Sequence, residues 1–281
     1  MGKFLIADSG STKTDWCIVD ESGAFSTIRV KGMNPYFQDE EEISSEIEKK
    51  LLPAVGDNVI DTVYFYGAGC IFDKVKVVEN AIKKHITAKR IFVESDLLGV
   101  ARAVCGKTEG IACILGTGSN SCLYDGDKIV SNISPLGFIL GDEGSGAVLG
   151  KLLVGDLLKG ILPERLKSLF LEQYGLTPAY IIDKVYRQPF PNRFLAGFAP
   201  FLAEHLDEPS IYRLVADSFY AFIYRNVKQY HRDDCEVSFV GSIAYFFRDI
   251  LSAVASDTGI VLGKIVQNPM DGLLQYHLGK Y

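Results

Sequence analysis

Near its start the chain reads Phe4-Leu-Ile-Ala-Asp8-Ser-Gly10-Ser-Thr-Lys13-Thr-Asp15-Trp-Cys-Ile-Val19, and the same plan returns in Ile111-Ala-Cys-Ile-Leu-Gly116-Thr-Gly118-Ser-Asn120-Ser-Cys-Leu-Tyr124. Each stretch predicts an apolar strand, a tight turn of small residues and a second strand. Such a turn is rich in N–H and O–H donors and is suited to bind phosphate. One copy in each half of the chain predicts a nucleotide held between two related lobes.

The composition limits the class of protein. The chain has 281 residues, 48% of them apolar, and a formal net charge of −6. This length allows two domains with substantial cores. The acidic balance argues against nucleic-acid binding, which needs a basic face. Since no apolar run reaches membrane-spanning length and no secretory signal is recognisable, we expect a cytoplasmic protein without membrane partners.

The cysteines and histidines do not predict a metal centre. The six cysteines include no C-x-x-C pair and most of them lie in apolar, strand-like segments, while the four histidines lack metal-ligand spacing. Reduced cysteines in the core of a cytoplasmic protein are the interpretation we favour.

The first half predicts the order strand, strand, strand, helix, strand, helix, strand, helix. The predicted strands are Lys3–Asp8, Thr14–Val19, Ala24–Lys31, Thr62–Tyr66 and Arg90–Glu94. The predicted helices are Glu40–Leu52, Asp73–His85 and Leu97–Cys105, the first of them stopping before Pro53 and the last capped by Ser95 or Asp96.

The second half repeats this start and then adds helices. Its predicted strands are Gly110–Leu115, Ser119–Tyr124, Lys128–Ile133, Glu236–Val240 and Ile260–Leu262. Helices are predicted between about 143 and 231, near Tyr245–Ser256 and near Pro269–Leu278. The fold class is therefore α/β, a duplicated βββαβαβα plan with helical insertions in the second lobe. We predict domains at 1–105 and 106–281, a hinge at 106–110 and a final helix that can pack back on the first lobe.

Three motifs on this duplicated plan resemble the actin, sugar-kinase and Hsp70 superfamily. Asp8-Ser-Gly-Ser-Thr-Lys-Thr14 is similar to its first phosphate motif, Leu115-Gly-Thr-Gly-Ser-Asn120 to its second, and Gly141-Asp-Glu-Gly-Ser-Gly146 follows at the expected position. Together they resemble the N-acetylglucosamine kinase branch of the family that also holds activator ATPases of benzoyl-CoA reductase and 2-hydroxyacyl-CoA dehydratase. The resemblance implies two ribonuclease H-like (actin-like ATPase) lobes.

The resemblance also implies that ATP and Mg²⁺ are the cofactors. Asp8 would then hold Mg²⁺ through water, although an Asx turn at the hairpin is the alternative. The residues implied in binding phosphate are Ser9, Gly10, Ser11, Thr12, Lys13, Thr14, Thr117 and Gly118. Lys13 is equally compatible with a position facing solvent. Gly241 and Ser242 resemble the adenosine-binding turn, for which an ordinary strand-to-helix turn is the alternative.

Asp96 is the candidate catalytic base, because it follows a strand and opens a helix as the catalytic aspartate of the resembled kinases does. A plain helix N-cap is the alternative. The residues implied in binding the sugar are Asn34, Gly69, Asp96, Asn120 and Asp142. Asp142 could also cap a helix starting near Glu143, Asn34 and Asn120 could be ordinary turn residues, and Gly69 offers only its backbone.

We therefore expect an enzyme, an ATP-dependent kinase that phosphorylates a hydroxyl, the 6-OH if the resemblance holds, of an amino sugar such as N-acetylglucosamine. An ATP-hydrolysing activator of a partner enzyme and a sugar- or ATP-binding sensor without turnover are the alternatives. The expected partner is a small sugar, and a homodimer is left open.

Overall fold

The computed structural model describes residues 2–10, 12–56 and 58–280, so the predicted phosphate ligand Ser11 lies outside the described residues. The chain forms two compact units. The first contains Met1–Thr108, Asp125–Ile129 and Pro269–Tyr281, and the second contains Glu109–Tyr124 and Val130–Asn268. The domain boundary after residue 105 stays a prediction.

The first unit is built on a five-stranded sheet in the order β3-β2-β1-β4-β5. Its strands are β1 (Phe4–Ser9), β2 (Lys13–Val19), β3 (Phe25–Lys31), β4 (Ile60–Gly67) and β5 (Ala88–Ser95). Strands β1, β2 and β3 form an antiparallel meander, and β4 and β5 run parallel to β1. The helices are α1 (Glu40–Glu46), a π-helical turn (Ile47–Leu51), α2 (Leu52–Val55), α3 (Lys74–His85), α4 (Asp96–Cys105) and α14 (Met270–His277).

Both faces of this sheet are covered, because β1 is apolar on both sides. Leu5 and Ala7 point into a core that includes Trp16 and residues of α1 and α3. Phe4 and Ile6 point into a second core with residues of α4 and α14. Continuous apolar strands of this kind are typical of sheets buried between two layers of helices.

The predicted end of the first helix before Pro53 is wrong. Helical structure continues through the π-helical turn and α2 to Val55, with Pro53 in the first turn of α2. A proline is tolerated in the first turn of a helix, where its missing N–H has no intrahelical partner. The preceding π-helical turn starts a new helical register, so Pro53 does not interrupt the hydrogen bonds.

The second unit repeats the topology of the first. Its sheet has the order β10-β9-β6-β7-β8. Its strands are β6 (Gly110–Leu115), β7 (Ser119–Tyr124), β8 (Ile129–Ser131), β9 (Glu236–Val240) and β10 (Val261–Val266). β6 pairs antiparallel with β7 and parallel with β9, as β1 does with β2 and β4. The predicted α/β fold with a duplicated strand order is confirmed.

The helices of the second unit fill the long segment between β8 and β9 and continue after β9. They are α5 (Gly137–Leu140), α6 (Gly146–Leu158), α7 (Glu164–Tyr174), α8 (Pro178–Tyr186), α9 (Pro191–Ala196), α10 (Ala199–Glu204), α11 (Pro209–Arg225), a 3₁₀ turn (Val227–Tyr230), α12 (Ser242–Phe246) and α13 (Arg248–Thr258). One core joins β6 and β9 to α6 and α11, and it includes the fully buried Phe219, Phe222 and Phe239. None of the described helices has the length and apolar character needed to span a membrane.

Candidate active site

Two predicted carboxylates lie at one edge of the first sheet. In the parallel register Ser9 of β1 is opposite Gly67 of β4, and Gly67 is opposite Ser95 of β5. The carboxyl ends of these strands therefore coincide. Asp8 is one residue before Ser9 on β1, and Asp96 is one residue after Ser95, the last residue of β5. The crevice at the carboxyl ends of parallel strands is where α/β sheets commonly bind ligands.

Asp96 is the first residue of α4 and is not its N-cap. The cap is Ser95, whose side chain accepts a hydrogen bond from the N–H of Leu98 at 3.2 Å. One carboxylate oxygen of Asp96 accepts the N–H of Leu97 at 2.9 Å. Because Ser95 caps the helix, Asp96 is not required for that task. Burial raises the pKa of Asp96 to about 6, against the effect of the backbone N–H groups of Leu97 and of Asp96 itself, and makes it a stronger base than an ordinary aspartate.

Asp8 carries the most perturbed carboxyl group of this edge. Burial, together with the negative charges of Asp96 and Asp15, raises its pKa to about 7, and Lys13 opposes this rise. Its carboxylate accepts no hydrogen bond from any residue in the described ranges. Negative charge without a hydrogen-bond donor is the environment in which a cation binds favourably.

The residues around Asp8 fit Mg²⁺ better than a metal held by protein alone. No cluster of three or more His, Cys, Asp or Glu able to hold a metal occurs in the part of the chain that the structure describes. Mg²⁺ commonly keeps several waters and binds one or two carboxylates together with substrate phosphates. A single carboxylate beside a phosphate turn matches that donor set.

The first predicted phosphate turn is held by its own buried hydroxyls. The Ser9 and Thr14 hydroxyls are 2.6 Å apart, and the N–H of Met33 donates to both at 3.2 Å. Both side chains are fully buried. The N–H of Gly10 donates to the carbonyl of Lys13 at 2.9 Å and closes the turn. The hydroxyls of Ser9 and Thr14 therefore stabilise the hairpin.

Two other residues of this turn are open to ligands. The side chains of Thr12 and Lys13 are exposed. The ammonium of Lys13 lies 3.2 Å from the carboxylate of Asp15, which also pairs with Arg29. Lys13 thus keeps a position near Asp8 but shares its charge with Asp15. Its contact with phosphate stays a prediction.

The second predicted phosphate turn is tied to the start of α6. The N–H of Gly146 donates to the carbonyl of Gly116 at 2.8 Å, and the N–H of Ala147 to the carbonyl of Thr117 at 3.0 Å. The N–H of Gly116 donates to the carbonyl of Gly118 at 2.9 Å. These bonds occupy the carbonyl groups of Gly116, Thr117 and Gly118, and the side chain of Thr117 is exposed.

Asp142 lies against this turn. One carboxylate oxygen accepts the N–H of Ser119 at 3.2 Å. A Cβ at Gly118 would lie 3.1 Å from the other oxygen, so a side chain there would press on Asp142. Burial raises the pKa of Asp142 to about 6, against the effect of the Ser119 N–H. The structure therefore brings the predicted phosphate residue Gly118 and the predicted sugar residue Asp142 together.

The alternative role of Asp142 as a helix N-cap is wrong. The cap of α6 is Ser145, whose hydroxyl accepts the N–H of Val148 at 3.2 Å. Asp142 instead has a left-handed backbone with φ of 54°. Non-glycine residues adopt this conformation at a cost, and such strain clusters at functional sites.

The loop that carries Asp142 is anchored by residues that the sequence did not indicate. The N–H of Asp142 donates to the carbonyl of Pro135 at 2.8 Å, and the N–H of Gly144 donates to the buried hydroxyl of Ser218 at 3.1 Å. Glu143 pairs with Arg225 at 3.4 Å. Ser218 and Arg225 lie on α11, more than 70 residues further along the chain, and no local pattern marks them.

The predicted sugar residues Asn34 and Gly69 are neighbours in the first unit. The side-chain oxygen of Asn34 accepts the N–H of Tyr36 at 3.0 Å, so the expected turn role is present. Gly69 has φ of 77°, and a Cβ there would lie 2.4 Å from that oxygen. Any side chain at position 69 would displace Asn34. Gly69 therefore offers its backbone and the space beside Asn34.

The predicted sugar residue Asn120 and the predicted adenosine residues lie in the second unit. Asn120 is on β7 and its side-chain oxygen accepts the N–H of Ser121 at 2.9 Å. Gly241 follows β9 with φ of 130°, and a Cβ there would lie 2.2 Å from the carbonyl oxygen of Leu115. Ser242 opens α12 and is exposed. Glycine at 241 thus allows the turn to pass directly over the end of β6.

Gly241→Ala is expected to lower the free energy of unfolding by about 2–4 kcal/mol, because the added methyl group meets backbone and φ is positive. Urea unfolding of the purified variant measures this. Gly155→Ala on α6 is the matched control, since a Cβ there meets nothing within 4 Å, and it should be neutral or slightly stabilising. Equal midpoints for the two variants would show that the Gly241 turn relaxes around the methyl group.

Two duplicated units, each with a small-residue turn between its first two strands, define the fold as that of the actin-like ATPases. Residues 7–156 match the model of the BadF/BadG/BcrA/BcrD ATPase family. A solved structure from Porphyromonas gingivalis, provisionally described as an N-acetylglucosamine kinase, is 54% identical with a TM-score of 0.95, and the match covers 98% of this chain and 99% of that one.

A second structure with the same provisional description, from Chromobacterium violaceum, is 17% identical with a TM-score of 0.76, covers 98% of this chain and 99% of that one, and shows the fold alone. No curated protein matches the sequence. The chain belongs to the BadF/BadG/BcrA/BcrD ATPase family.

Proposed function

We propose that this protein is an ATP- and Mg²⁺-dependent kinase that phosphorylates a hydroxyl, the 6-OH by resemblance, of an amino sugar such as N-acetylglucosamine. The observation that carries the proposal is Asp96, a half-buried carboxylate with a raised pKa at the carboxyl edge of the first sheet, beside a second carboxylate suited to a cation. The provisional description of the P. gingivalis relative, 54% identical, supports the same activity.

In this mechanism Asp96 accepts the proton of the attacking hydroxyl on a carboxylate oxygen. The sugar oxygen then forms a bond to the γ-phosphorus while the bond from that phosphorus to the β–γ bridging oxygen breaks, and ADP leaves. Asp8 would hold Mg²⁺ through water, and the ion would supply charge neutralisation of the phosphates. The exposed Thr12 and Lys13 and the backbone of Gly10 would bind phosphate oxygens.

The remaining predicted residues divide between nucleotide and sugar. Thr117 and Gly118 would bind phosphate from the second unit, so that ATP uses both units as the resemblance implies. Gly241 and Ser242 would lie against adenosine. Asn34, Gly69, Asn120 and Asp142 would bind the sugar, with Asp142 accepting hydrogen bonds from hydroxyl groups.

The test is ATP consumption with a panel of sugars: N-acetylglucosamine, glucosamine, N-acetylmannosamine, N-acetylmuramic acid and glucose. We expect ADP formation that depends on one or a few amino sugars, together with a phosphorylated product seen by mass spectrometry. ATP turnover that no sugar stimulates would contradict the kinase proposal.

The family match supports a second candidate, an ATPase whose hydrolysis acts on a partner protein. This function predicts slow ATP hydrolysis without any sugar and no phosphorylated sugar. The same assay separates the two, because a kinase transfers the phosphoryl group to the sugar and an activator releases inorganic phosphate.

The pH dependence of turnover follows from the direction of the Asp96 shift. The carboxyl must be ionised to accept a proton, and its pKa is about 6. At saturating ATP and sugar, kcat should be level above about pH 7 and fall towards tenfold per pH unit below about pH 6. Initial rates between pH 5 and pH 8 measure this, and a level profile down to pH 5 would remove Asp96 from the base role.

A further inference from the structure

The orientation of the Asn120 amide is set by two hydrogen-bond donors, one of them a backbone N–H. Its Oδ1 accepts the N–H of Ser121 and the Nδ2 of Asn132, each at 2.9 Å. A backbone N–H can only donate, so the atom that faces it must be the oxygen of the Asn120 amide. The two ends of this amide are thereby distinguished without reference to any ligand.

The orientation of Asn132 is fixed in the same way. Its Nδ2 lies 2.7 Å from the carbonyl oxygen of Ser121 and 3.3 Å from that of Ile133. Carbonyl oxygens only accept, so the group between them is the NH₂ of Asn132. This NH₂ group has two N–H bonds for three acceptors. Its two short contacts, with the carbonyl of Ser121 at 2.7 Å and the side-chain oxygen of Asn120 at 2.9 Å, are the hydrogen bonds, and the contact with Ile133 is a weaker, shared one.

The segment that carries Asn132 is itself anchored. The buried hydroxyl of Tyr230 accepts the N–H of Ile133 at 3.0 Å and exchanges a hydrogen bond with the hydroxyl of Ser121 at 2.8 Å. The residue after Asn132 and the residue after Asn120 are thus joined through one side chain. Both asparagines are next to anchored residues. The backbone therefore holds their side chains within contact distance, even though Asn132 is exposed.

These bonds leave one end of Asn120 for a ligand. Its oxygen has two donors and so both lone pairs are occupied, while its NH₂ has no hydrogen-bond partner among the residues that the structure describes. We propose that Asn132 is a positioning residue that makes Asn120 present its NH₂ group, and only that group, to the acceptor sugar. This inference rests on the proposed function and specifies the chemistry of its sugar site.

The consequence is a defined selectivity at this position. The sugar atom that faces Asn120 must be an oxygen with a free lone pair, in a hydroxyl or an acyl group. A protonated amine has donors only and would be rejected there. Asp142, in the same unit, can only accept hydrogen bonds when it is ionised, so the two residues would then offer one donor and one acceptor.

Asn132→Ala tests the proposal. Without Asn132 the Asn120 amide loses one of two tethers and can rotate, so the KM for the sugar should rise about five- to tenfold. The KM for ATP, kcat and the melting temperature should stay close to the wild-type values. Asn80→Ala, which removes another exposed amide that donates to a side chain, is the matched control.

Asn132→Asp gives a stronger version of the test. Its carboxylate would face the oxygen of Asn120 and the carbonyl of Ser121 with no proton to donate, so it should raise the KM for the sugar more than the alanine does. If this variant unfolds, Asn132→Ala alone still decides the question. A sugar KM unchanged in the folded alanine variant would overturn the proposal.

The double variant separates positioning from a general structural role. If Asn132 acts through Asn120, the double variant of Asn120→Ala and Asn132→Ala should bind sugar as weakly as Asn120→Ala alone. If the two residues act independently, the losses of sugar affinity in the two single variants should multiply in the double variant. Multiplied effects would overturn the proposal.

Calorimetry with the same sugar panel provides a readout that needs no turnover. Failure of the wild type to bind any of these sugars would overturn the proposed function and this inference with it. Wild-type binding with equal affinity of the Asn132 variants would overturn this inference alone.

Discussion

Asp96→Asn is expected to lower kcat by about 10²–10⁴-fold while the affinity for ATP changes little. The amide cannot accept the hydroxyl proton at neutral pH, but its oxygen can still accept the N–H of Leu97, and Ser95 still caps α4. The local structure should therefore survive the substitution. Steady-state kinetics with saturating sugar, and calorimetry with a non-hydrolysable ATP analogue, measure the two effects separately.

Asp61→Asn is the matched control for this experiment. Asp61 lies at the opposite end of β4 and pairs with Lys89 at the surface, at 2.5 Å. Its loss should change the stability little and leave kcat unchanged. Near-normal sugar phosphorylation by Asp96→Asn would show that another group takes the proton. An equal fall in kcat for Asp61→Asn would point to a general effect of the substitution.

Asp8→Asn should change activity and stability in opposite directions. With the carboxylate gone we expect kcat to fall by about 10²-fold or more, and the Mg²⁺ concentration for half-maximal activity to rise, if Asp8 holds the ion. The metal-free variant should nevertheless unfold at a higher temperature than the wild type, because the native state no longer contains a half-buried carboxylate beside the charges of Asp96 and Asp15.

The sign of the stability effect follows from proton linkage. The pKa of Asp8 is about 7 in the native state, above the ordinary value of 3.8. Between these values the native state binds more protons than the unfolded state, so wild-type stability falls as pH rises from about 4 to about 7. The advantage of Asp8→Asn should therefore grow over this range and reach about 1–2 kcal/mol above pH 7, since the group is only partly buried.

Asp15→Asn, on the same hairpin, is a control for which we expect the opposite effect on stability. Asp15 lies directly opposite Asp8 in the ladder between β1 and β2. Although burial would raise its pKa, Arg29 and Lys13 keep it below the ordinary value. Its ionised form therefore stabilises the fold, and replacing it should destabilise the protein by less than about 1 kcal/mol. A metal-free Asp8→Asn protein that melts below the wild type at pH 8 would contradict the proposed environment of Asp8.

Much of the local structure could be predicted from the sequence, because it depends on short-range patterns. The strands Gly110–Leu115, Ser119–Tyr124 and Glu236–Val240 have the predicted bounds, since each is an apolar segment between turn residues. The end of the first helix could not be predicted. Pro53 ordinarily predicts a helix end, and the π-helical turn that accommodates it is not visible in the local pattern.

Some features of the candidate site could likewise be predicted from the sequence, and others could not. Asp8 could be proposed because it ends a predicted strand at a small-residue turn, and Asp96 because its place between a predicted strand and a helix resembles that of the catalytic aspartate of sugar kinases. The roles of the hydroxyls of Ser9 and Thr14 could not, since their partner is the backbone of Met33, 24 and 19 residues along the chain. The N-cap of α6 is Ser145 and not Asp142, because capping depends on backbone dihedral angles.

The sequence by itself determined that the chain has two copies of one hairpin and one strand order, because apolar periodicity and small-residue turns act over a few residues. The tertiary structure decided which polar groups are available. It aligned the ends of β1, β4 and β5, raised the pKa values of Asp8 and Asp96, and occupied the oxygen of Asn120 through Asn132. Burial and hydrogen-bond partners come from residues distant in the chain, and they decide what each copy of the hairpin can bind.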